Sequence, residues 1–394
     1  MADALISRRG GGGYATVKFE NCSLASPKHE IASDLSVGRA RLAATAVGDY
    51  ALLGGGYASS NESVTVDAYS SSLTRSTPTV LSSERDELAA TTIGDHALFG
   101  GGGDGDYGSS RVDAYSSTLT RSTATDLSVG RYGLAATTVG SYALFGGGYS
   151  YSSGSYNCHT TVDAYSSSLT RSTATALSVA KFDLSATTVG NYALFAGGRD
   201  RSGKYSTVDA YSSSLTRSTP TALSEARCWF TATTVGDYAL FGGGNDKSST
   251  VDAYNSNLTR STPTALSEGR YWLAATALGD YAFFGGGSSG NISSVVDAYN
   301  SSLTRSTAPA LSEARSDLAA TTIGDYALFG GGQGNNYSST VDAYDFNANF
   351  MVYKNSKYKF QNMAEEVTVT ADKETISIPT PATGYIKFQN TTIS

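Results

Sequence analysis

Charged residues are scarce in this sequence, and their scarcity excludes several classes of protein. They make up 16% of the 394 residues, against about 25% in an ordinary globular chain. The formal net charge is −7, and the basic residues are spread along the chain instead of forming a stripe. Nucleic-acid binding therefore has little support.

Long apolar runs and cysteines are also few. No apolar run approaches the roughly 18 residues that a membrane-spanning helix needs, and residues 1–14 contain no hydrophobic segment of a signal peptide. The three cysteines, Cys22, Cys158 and Cys228, form neither a disulfide framework nor a metal-binding spacing. These absences predict no membrane span.

What the sequence does contain is one unit repeated seven times. Each copy carries a run close to LAATTVGDYALF that ends in a glycine cluster, and six copies carry LTRST. The Gly-Asp pair inside the run is typical of a tight hairpin turn, and VDAY alternates apolar and polar residues as a strand does. Each repeat therefore predicts four short strands. The valine of VDAY stands at 66, 112, 162, 208, 251, 296 and 341.

The length of the repeat predicts the fold. Copies are 43 to 50 residues apart, and four strands in about 45 residues is the unit of a propeller blade. Alanine and threonine dominate the first strand, as is expected where seven strands crowd around an axis. The sequence thus predicts an all-β fold, a seven-bladed β-propeller of four-stranded antiparallel blades with a small C-terminal β extension.

Both ends of the chain depart from the repeat. Residues 29–36 (HEIASDLS) match the fourth strand of the other copies, whereas the seventh copy lacks LTRST after Tyr344. We therefore expect the N-terminal strand to complete the last blade, which removes two exposed sheet edges. Residues 16–19 (TVKF) resemble a third strand, and an alternative places them in the closing blade as well.

The sequence divides into three segments. We assign residues 1–13 to a tag and glycine linker, 14–349 to the propeller and 350–394 to a small C-terminal β module. Residues 367–379 predict a hairpin around Asp372-Lys373. The string KF[EQ]N recurs at 18–21, 359–362 and 387–390, and one interpretation is a β module that also uses the N-terminal strand.

The blade resembles the kelch repeat over about residues 29–345. The glycine pair after the second strand, the tyrosine in the third and the arginine before the first carry this resemblance. The tryptophan that kelch repeats usually have near the fourth strand is replaced by LTR, and the Trp-Asp dipeptide of WD40 propellers is absent. The near-identity of the copies, the short tag and the glycines at 10–13 are also similar to tail-associated proteins of bacteriophages and prophages. This resemblance implies a location on a virion or cell surface, reached without a recognisable signal peptide, or otherwise in the cytoplasm.

Catalytic and metal-binding motifs are missing from the repeats. Kelch-like copper enzymes need histidine and tyrosine ligands, but His29, His96 and His159 fall at unrelated repeat positions. Neither the Asp-box of sialidase-like propellers nor a phosphate-binding glycine loop is present. The sequence predicts no cofactor, no metal and no enzymatic activity.

Two charged positions recur in the repeat. We interpret the aspartates of VDAY and of the hairpin turns as turn formers. A basic residue precedes each first strand, and we expect it to pair locally with a carboxylate or with carbonyls. These residues are Arg39, Arg85, Arg131, Lys181, Arg227, Arg270 and Arg315.

The copies differ at two places, the pair of residues after this basic residue and the loop after the glycine cluster. Because strands of a blade alternate in direction, both places lie on one face. They are rich in Tyr, Trp, Ser, Gly and Asn, the composition of adaptable binding loops, although loops also tolerate change without function. The pairs are Ala40-Arg41, Asp86-Glu87, Tyr132-Gly133, Phe182-Asp183, Cys228-Trp229, Tyr271-Trp272 and Ser316-Asp317.

This variable face predicts a binding site in which aromatic residues from blades three to six form one arc. We expect a non-enzymatic binding or adhesion module for a protein or glycan receptor, such as a phage tail or cell-surface component, whose tag docks to a further partner. The alternative is a kelch-like carbohydrate-active enzyme. The predicted ligand-binding residues are Tyr132, Phe182, Trp229, Tyr271 and Trp272 from the pairs, and Tyr149, Tyr151, Tyr156, His159 and Tyr205 from the loops.

Overall fold

The computed structural model describes residues 27–345, apart from residues 106 and 153–154, together with the backbone of seven short strands nearer the two ends. Contacts divide the chain into two compact units. One comprises His29–Tyr344, and the other comprises Met1–Lys28 with Asp345–Ser394. These boundaries differ from the predicted ones, which fall at 13/14 and 349/350.

The larger unit is a β-propeller of seven four-stranded blades, as the sequence predicts. The described residues contain no helix. In six blades the strands follow one another in chain order from the axis outward, and the paired strands are antiparallel.

The inner strands surround the axis, and their small residues let them approach closely. Threonine hydroxyls join neighbouring blades, as between Thr45 and Thr92, whose Oγ1 atoms are 2.8 Å apart. The inner strands are Ala43–Val47, Ala89–Ile93, Ala135–Val139, Ser185–Val189, Thr231–Val235, Ala274–Leu278 and Ala319–Ile323.

The second and third strands carry the larger side chains that form the core between blades. Phe99 and Tyr115 are fully buried, and their rings pack edge to face with centroids 5.8 Å apart. The second strands are Tyr50–Gly54, His96–Gly100, Tyr142–Gly146, Tyr192–Ala196, Tyr238–Gly242, Tyr281–Gly285 and Tyr326–Gly330. The third strands are Val66–Ser70, Val112–Ser116, Val162–Ser166, Val208–Ser212, Val251–Asn255, Val296–Asn300 and Val341–Asp345.

The N-terminal strand closes the ring, which confirms the prediction. Lys28–Ile31 is the fourth strand of blade seven, beside Val341–Asp345. The other outer strands are Arg75–Ser76, Arg121–Thr123, Arg171–Thr173, Arg217–Ser218, Arg260–Ser261 and Arg305–Thr307. Two loops on the variable face add hairpins of their own, Gly103–Asp104 with Tyr107–Gly108 and Tyr149–Ser152 with Ser155–Cys158.

The smaller unit contains a five-stranded sheet and a strand pair. The sheet has the order Ile6–Ser7, Ala15–Phe19, Gly384–Phe388, Ser356–Phe360 and Val367–Thr368, and the pair is Ala348–Tyr353 with Lys373–Ile378. A β module that uses the N-terminal strand is therefore confirmed, and the Lys-Phe steps of the three KF[EQ]N strings lie on its three central strands.

The alternative that places residues 16–19 in the closing blade is wrong, since Ala15–Phe19 pairs with Gly384–Phe388. The two strands expected on either side of Asp372-Lys373 do not pair with each other where the structure describes them. Val367–Thr368 pairs with Ser356–Phe360, and Lys373–Ile378 pairs with Ala348–Tyr353. Asp372 itself lies outside the described residues. The predicted glycine linker, residues 10–13, lies outside the described residues.

Candidate binding site on the variable face

A buried ion pair inside each blade holds the chain just before the variable residues. In blade one, Arg39 Nη1 lies 2.8 Å from Asp67 Oδ2, and both side chains are fully buried. Arg39 also donates hydrogen bonds to the carbonyls of Gly55 and Leu53. Burial lowers the pKa of Arg39, and Asp67 partly offsets this effect. The pairs are Arg39–Asp67, Arg85–Asp113, Arg131–Asp163, Lys181–Asp209, Arg227–Asp252, Arg270–Asp297 and Arg315–Asp342.

The predicted structural role of the basic residue is thereby confirmed. The interpretation of the VDAY aspartate as a turn former is wrong. Asp67 lies within a strand, and its second oxygen accepts a hydrogen bond from Arg75 of the outer strand at 3.1 Å. A buried carboxylate needs such partners because burial in a protein interior is costly for an unpaired charge.

The glycine cluster fits closely against the basic residue of the next blade. A Cβ added to Gly55 would lie 2.8 Å from the Arg85 carbonyl oxygen, and the φ of Gly55 is +67°. The adjacent Gly56 donates a hydrogen bond to that same carbonyl at 2.9 Å. The scaffold is therefore specified by residues that recur in each repeat, and the two residues after Arg39 or its equivalents are left free to vary.

The second of these variable residues forms a closed ring of backbone hydrogen bonds around the axis. In each blade its N–H donates to the carbonyl of its counterpart in the preceding blade, and Arg41 closes the circle by donating to Asp317 at 2.9 Å. All members have φ between 49° and 63°, in the left-handed region. The ring members are Arg41, Glu87, Gly133, Asp183, Trp229, Trp272 and Asp317.

This ring was not predicted from the sequence, because it is made by the backbone. The glycine at position 133 is the only residue type in the set that indicates a left-handed conformation. The hydrogen bonds do not depend on the side chains, so arginine, glutamate, aspartate, tryptophan and glycine all occupy equivalent places. The ring thus displays seven side chains whose identity the fold does not dictate.

The ring side chains border a cavity of about 530 Å³ on the axis. Trp229 and Trp272 are neighbours in the ring, and Asp317, Arg41 and Glu87 follow them in order. The cavity is therefore aromatic on one side and charged on the other. Its volume lies in the range of about 300–1,000 Å³ that is usual for small-ligand sites.

Most of the predicted aromatic residues come together in one arc. The ring centroids of Tyr132 and Tyr149 are 3.9 Å apart, and those of Trp229 and Trp272 are 5.3 Å apart. Trp272 is 37% exposed, whereas Phe182 is only 7% exposed and is a buried member of the arc. The residues joined by ring contacts are Tyr132, Tyr149, Tyr151, Tyr156, Phe182, Trp229, Tyr271 and Trp272.

Arg199 connects the two halves of the arc and was missed by the sequence analysis. Its guanidinium carbon lies 4.6 Å from the Phe182 centroid and 4.4 Å from the Trp229 centroid. Its Nε donates to Asp183 Oδ2 at 2.7 Å. Its place in the sequence could have identified it, because Arg199 is the first residue after the glycine cluster. There it forms a β-bridge with Phe182 of the variable pair.

The remaining two predicted residues make their polar contacts within their own loops. His159 Nε2 lies 2.9 Å from Ser150 Oγ on the same hairpin, and burial together with Arg131 lowers the pKa of His159. Tyr205 donates its hydroxyl hydrogen to Asp200 at 2.6 Å. Neither side chain makes a ring contact with the arc in the described part of the chain.

Burial raises the pKa of three carboxylates that line the cavity. Burial, reinforced by Asp86 and Asp183, raises the pKa of Glu87 to about 7. Burial also raises the pKa of Asp183, although Arg199 opposes it, and that of Asp317. A cavity with several such groups favours a ligand that supplies positive charge or hydrogen-bond donors.

In the part of residues 27–345 that the structure describes, no group of three His, Cys, Asp or Glu side chains is placed to hold a metal ion. No helix among the described residues has the length and apolarity needed to cross a membrane. Two described cysteines, Cys158 and Cys228, are free. No protein-family model matches the sequence, and no curated protein matches it either.

Proposed function

We propose that this kelch-like propeller is a non-enzymatic receptor-binding module, and that its ligand is a glycan that enters the axial cavity. The observation that carries the proposal is the pair of adjacent indoles, Trp229 and Trp272, at a cavity that also contains carboxylates. Aromatic faces stack on the apolar faces of sugar rings, and carboxylates accept hydrogen bonds from sugar hydroxyls. Partly exposed aromatics in a concave site are typical binding hot spots.

Backbone strain in the ring supports a role for its side chains. A left-handed conformation costs a non-glycine residue about 1–2 kcal/mol, and six of the seven ring members are not glycine. Gly133 shows that glycine fits the same backbone. Strained residues occur at functional sites and also at tight turns, such as the leucine of the LTRST segments, whose φ lies between 58° and 61°. The ring differs from those turns because its residues line the cavity.

The arrangement of the repeats supports a display role at a phage tail or cell surface. The buried ion pairs recur in all blades, whereas the variable residues are confined to one face. A scaffold of this kind can present different side chains without altering its core. The N-terminal tag then attaches the propeller to a docking partner.

A carbohydrate-active enzyme is the second candidate. The observation that favours it is the raised pKa of Glu87, which shares its cavity with Asp183 and Asp317. Glycosidases use one carboxylic acid of raised pKa together with a second carboxylate. Turnover of a bound glycan by the purified chain, lost in Glu87→Gln, would establish this candidate in place of the first.

The experiment is a glycan array followed by calorimetry on the full chain. We expect binding without turnover, and we expect Trp229→Ala/Trp272→Ala to weaken it by about 2 kcal/mol or more. The matched control is Tyr57→Ala/Tyr337→Ala, which removes an aromatic pair 5.9 Å apart in blades one and seven. Equal losses in both double variants, or the absence of any glycan ligand, would overturn the proposal.

A further inference from the structure

One side-chain cation of the protein, the Arg199 guanidinium, is already held at the cavity. Arg199 places its guanidinium 4.4 Å from the Trp229 centroid and donates to Asp183, the ring neighbour of Trp229. Asp183 also accepts a hydrogen bond from the Trp229 side chain. One aromatic face and one carboxylate thus hold a positive charge together, as cation–π and ion-pair interactions favour.

The next two ring members repeat this pair in mirror order without the cation. Trp272 follows Trp229, and Asp317 follows Trp272. The position equivalent to Arg199 in blade seven is Gln333. Gln333 forms a β-bridge with Ser316, as Arg199 does with Phe182. Glutamine cannot supply a charge, so blade seven lacks the group that blade four provides.

The charge of Asp317 is matched only at longer range, by Arg41, which opposes the rise in pKa that burial causes. The carboxylate accepts a hydrogen bond from the Ser316 hydroxyl at 3.0 Å, and no ion pair within 4.0 Å involves it among the described residues. Arg41, the one basic member of the ring, lies 3.4 Å from Asp86 and 3.5 Å from Glu87. Arg41 therefore contacts two other carboxylates directly and acts on Asp317 only at longer range.

We propose that the axial cavity binds an organic ammonium group between the Trp272 indole and the Asp317 carboxylate, and that the glycan ligand is an amino sugar with a free amine. This inference rests on the proposed function, which it deepens by naming the ligand class. Trp272 is 37% exposed, so its face is open to a ligand. An ammonium group there has the same two kinds of partner, one indole and one carboxylate, that hold the Arg199 guanidinium.

The test compares glucosamine oligomers with N-acetylglucosamine oligomers of matched length, titrated into the full chain by calorimetry. The two probes share the sugar ring, and N-acetylation replaces the positively charged amine of one with a neutral amide in the other. We expect the amine form to bind at least about tenfold more tightly, and Asp317→Asn to remove that preference. The control is Asp280→Asn, the same chemical change at an exposed turn, which should keep it.

A second variant supplies the missing cation from the protein itself. Gln333 is exposed, and Gln333→Arg should place a guanidinium against Asp317 and compete with the amine, lowering its affinity at least about tenfold while thermal stability stays the same. Equal affinity for both probes, or an unchanged preference in Asp317→Asn, would overturn the inference. If other glycans of the array still bind through Trp229 and Trp272, the inference alone fails; if no glycan binds, the proposed function fails with it.

Discussion

His29 Nε2 lies 2.5 Å from Asp342 Oδ1, in the place that Arg75 occupies beside Asp67 in blade one. Its ring also packs against Tyr344, with centroids 5.1 Å apart. The N-terminal strand therefore supplies a hydrogen-bond partner for the buried aspartate of blade seven as well as a sheet edge. This contact joins residues 313 positions apart across the closing blade.

Replacing His29 should change the stability of ring closure. We expect His29→Ala to cost about 1–3 kcal/mol, because Asp342 loses a buried partner. His29→Arg should be neutral or stabilising by up to about 1 kcal/mol, since it restores the guanidinium found in the other six blades. Chemical denaturation measures both. The neighbouring Glu30 is exposed, and a loss in Glu30→Ala equal to that in His29→Ala would contradict this account.

The left-handed backbone of the ring predicts that glycine is more stable than alanine at a ring position. Trp272 has φ +55°, so Trp272→Gly should be more stable than Trp272→Ala by about 1 kcal/mol. The adjacent Tyr271 is outside the set of positive-φ residues, and there Tyr271→Gly should be less stable than Tyr271→Ala by about 0.5–1 kcal/mol. Thermal unfolding of the four variants tests the order, and the same order at both positions would refute the strain argument.

Glu87 should make the propeller less stable as pH rises. Its pKa in the folded chain is about 7, against an ordinary value of 4.5, so the folded state binds more protons than the unfolded state between these values. Stability should therefore fall as pH rises from about 4.5 to 7 and then level off with respect to this group. Glu87→Gln should be more stable than the parent by up to about 3 kcal/mol at pH 8 and equal to it near pH 4.

Denaturation midpoints across pH 4 to 8 provide the measurement for Glu87. Glu84 is exposed on the same segment, and Glu84→Gln is the control that should leave the profile of the parent unchanged. A constant difference between Glu87→Gln and the parent at every pH would show that the substitution acts through packing and not through ionisation.

The repeat pattern was sufficient to predict the blades because each strand contacts its sequence neighbours. The pairing of Arg39 with a carboxylate was also predictable, since a basic residue recurring before each inner strand needs a buried partner. The partner itself, Asp67, was misread because a strand aspartate and a turn aspartate look alike in sequence. The sequence left two placements open for Ala15–Phe19, because its partner, Gly384–Phe388, lies more than 300 residues away and no local pattern identifies it.

The candidate site was predictable in composition but not in geometry. The aromatic arc followed from the places where the copies differ, and Trp229 and Trp272 do lie together. The backbone ring could not be predicted, because it imposes no pattern on the side chains. The role of Arg199 depends on its contact with Asp183 in the folded chain, which the spacing of the two residues in the sequence does not indicate.

Blade four differs from the others in its buried pair, and this difference predicts opposite effects for two reciprocal substitutions. Lys181 Nζ lies 3.3 Å from Asp209 Oδ2 and donates to Thr207, but it does not reproduce the bonds that Arg131 makes. Arg131 donates to the carbonyls of Gly147 and Phe145 while pairing with Asp163. A planar guanidinium can make these bonds together, whereas an ammonium group is a more compact donor.

We therefore expect Lys181→Arg to stabilise the propeller by about 1 kcal/mol and Arg131→Lys to destabilise it by about 1–2 kcal/mol. Both variants keep the charge, so the difference reports hydrogen-bond geometry. Denaturant titration at constant pH gives both free energies of unfolding. A loss of stability in Lys181→Arg would mean that the core of blade four is packed around the shorter contacts of lysine, and that the buried pairs of blades three and four are not interchangeable.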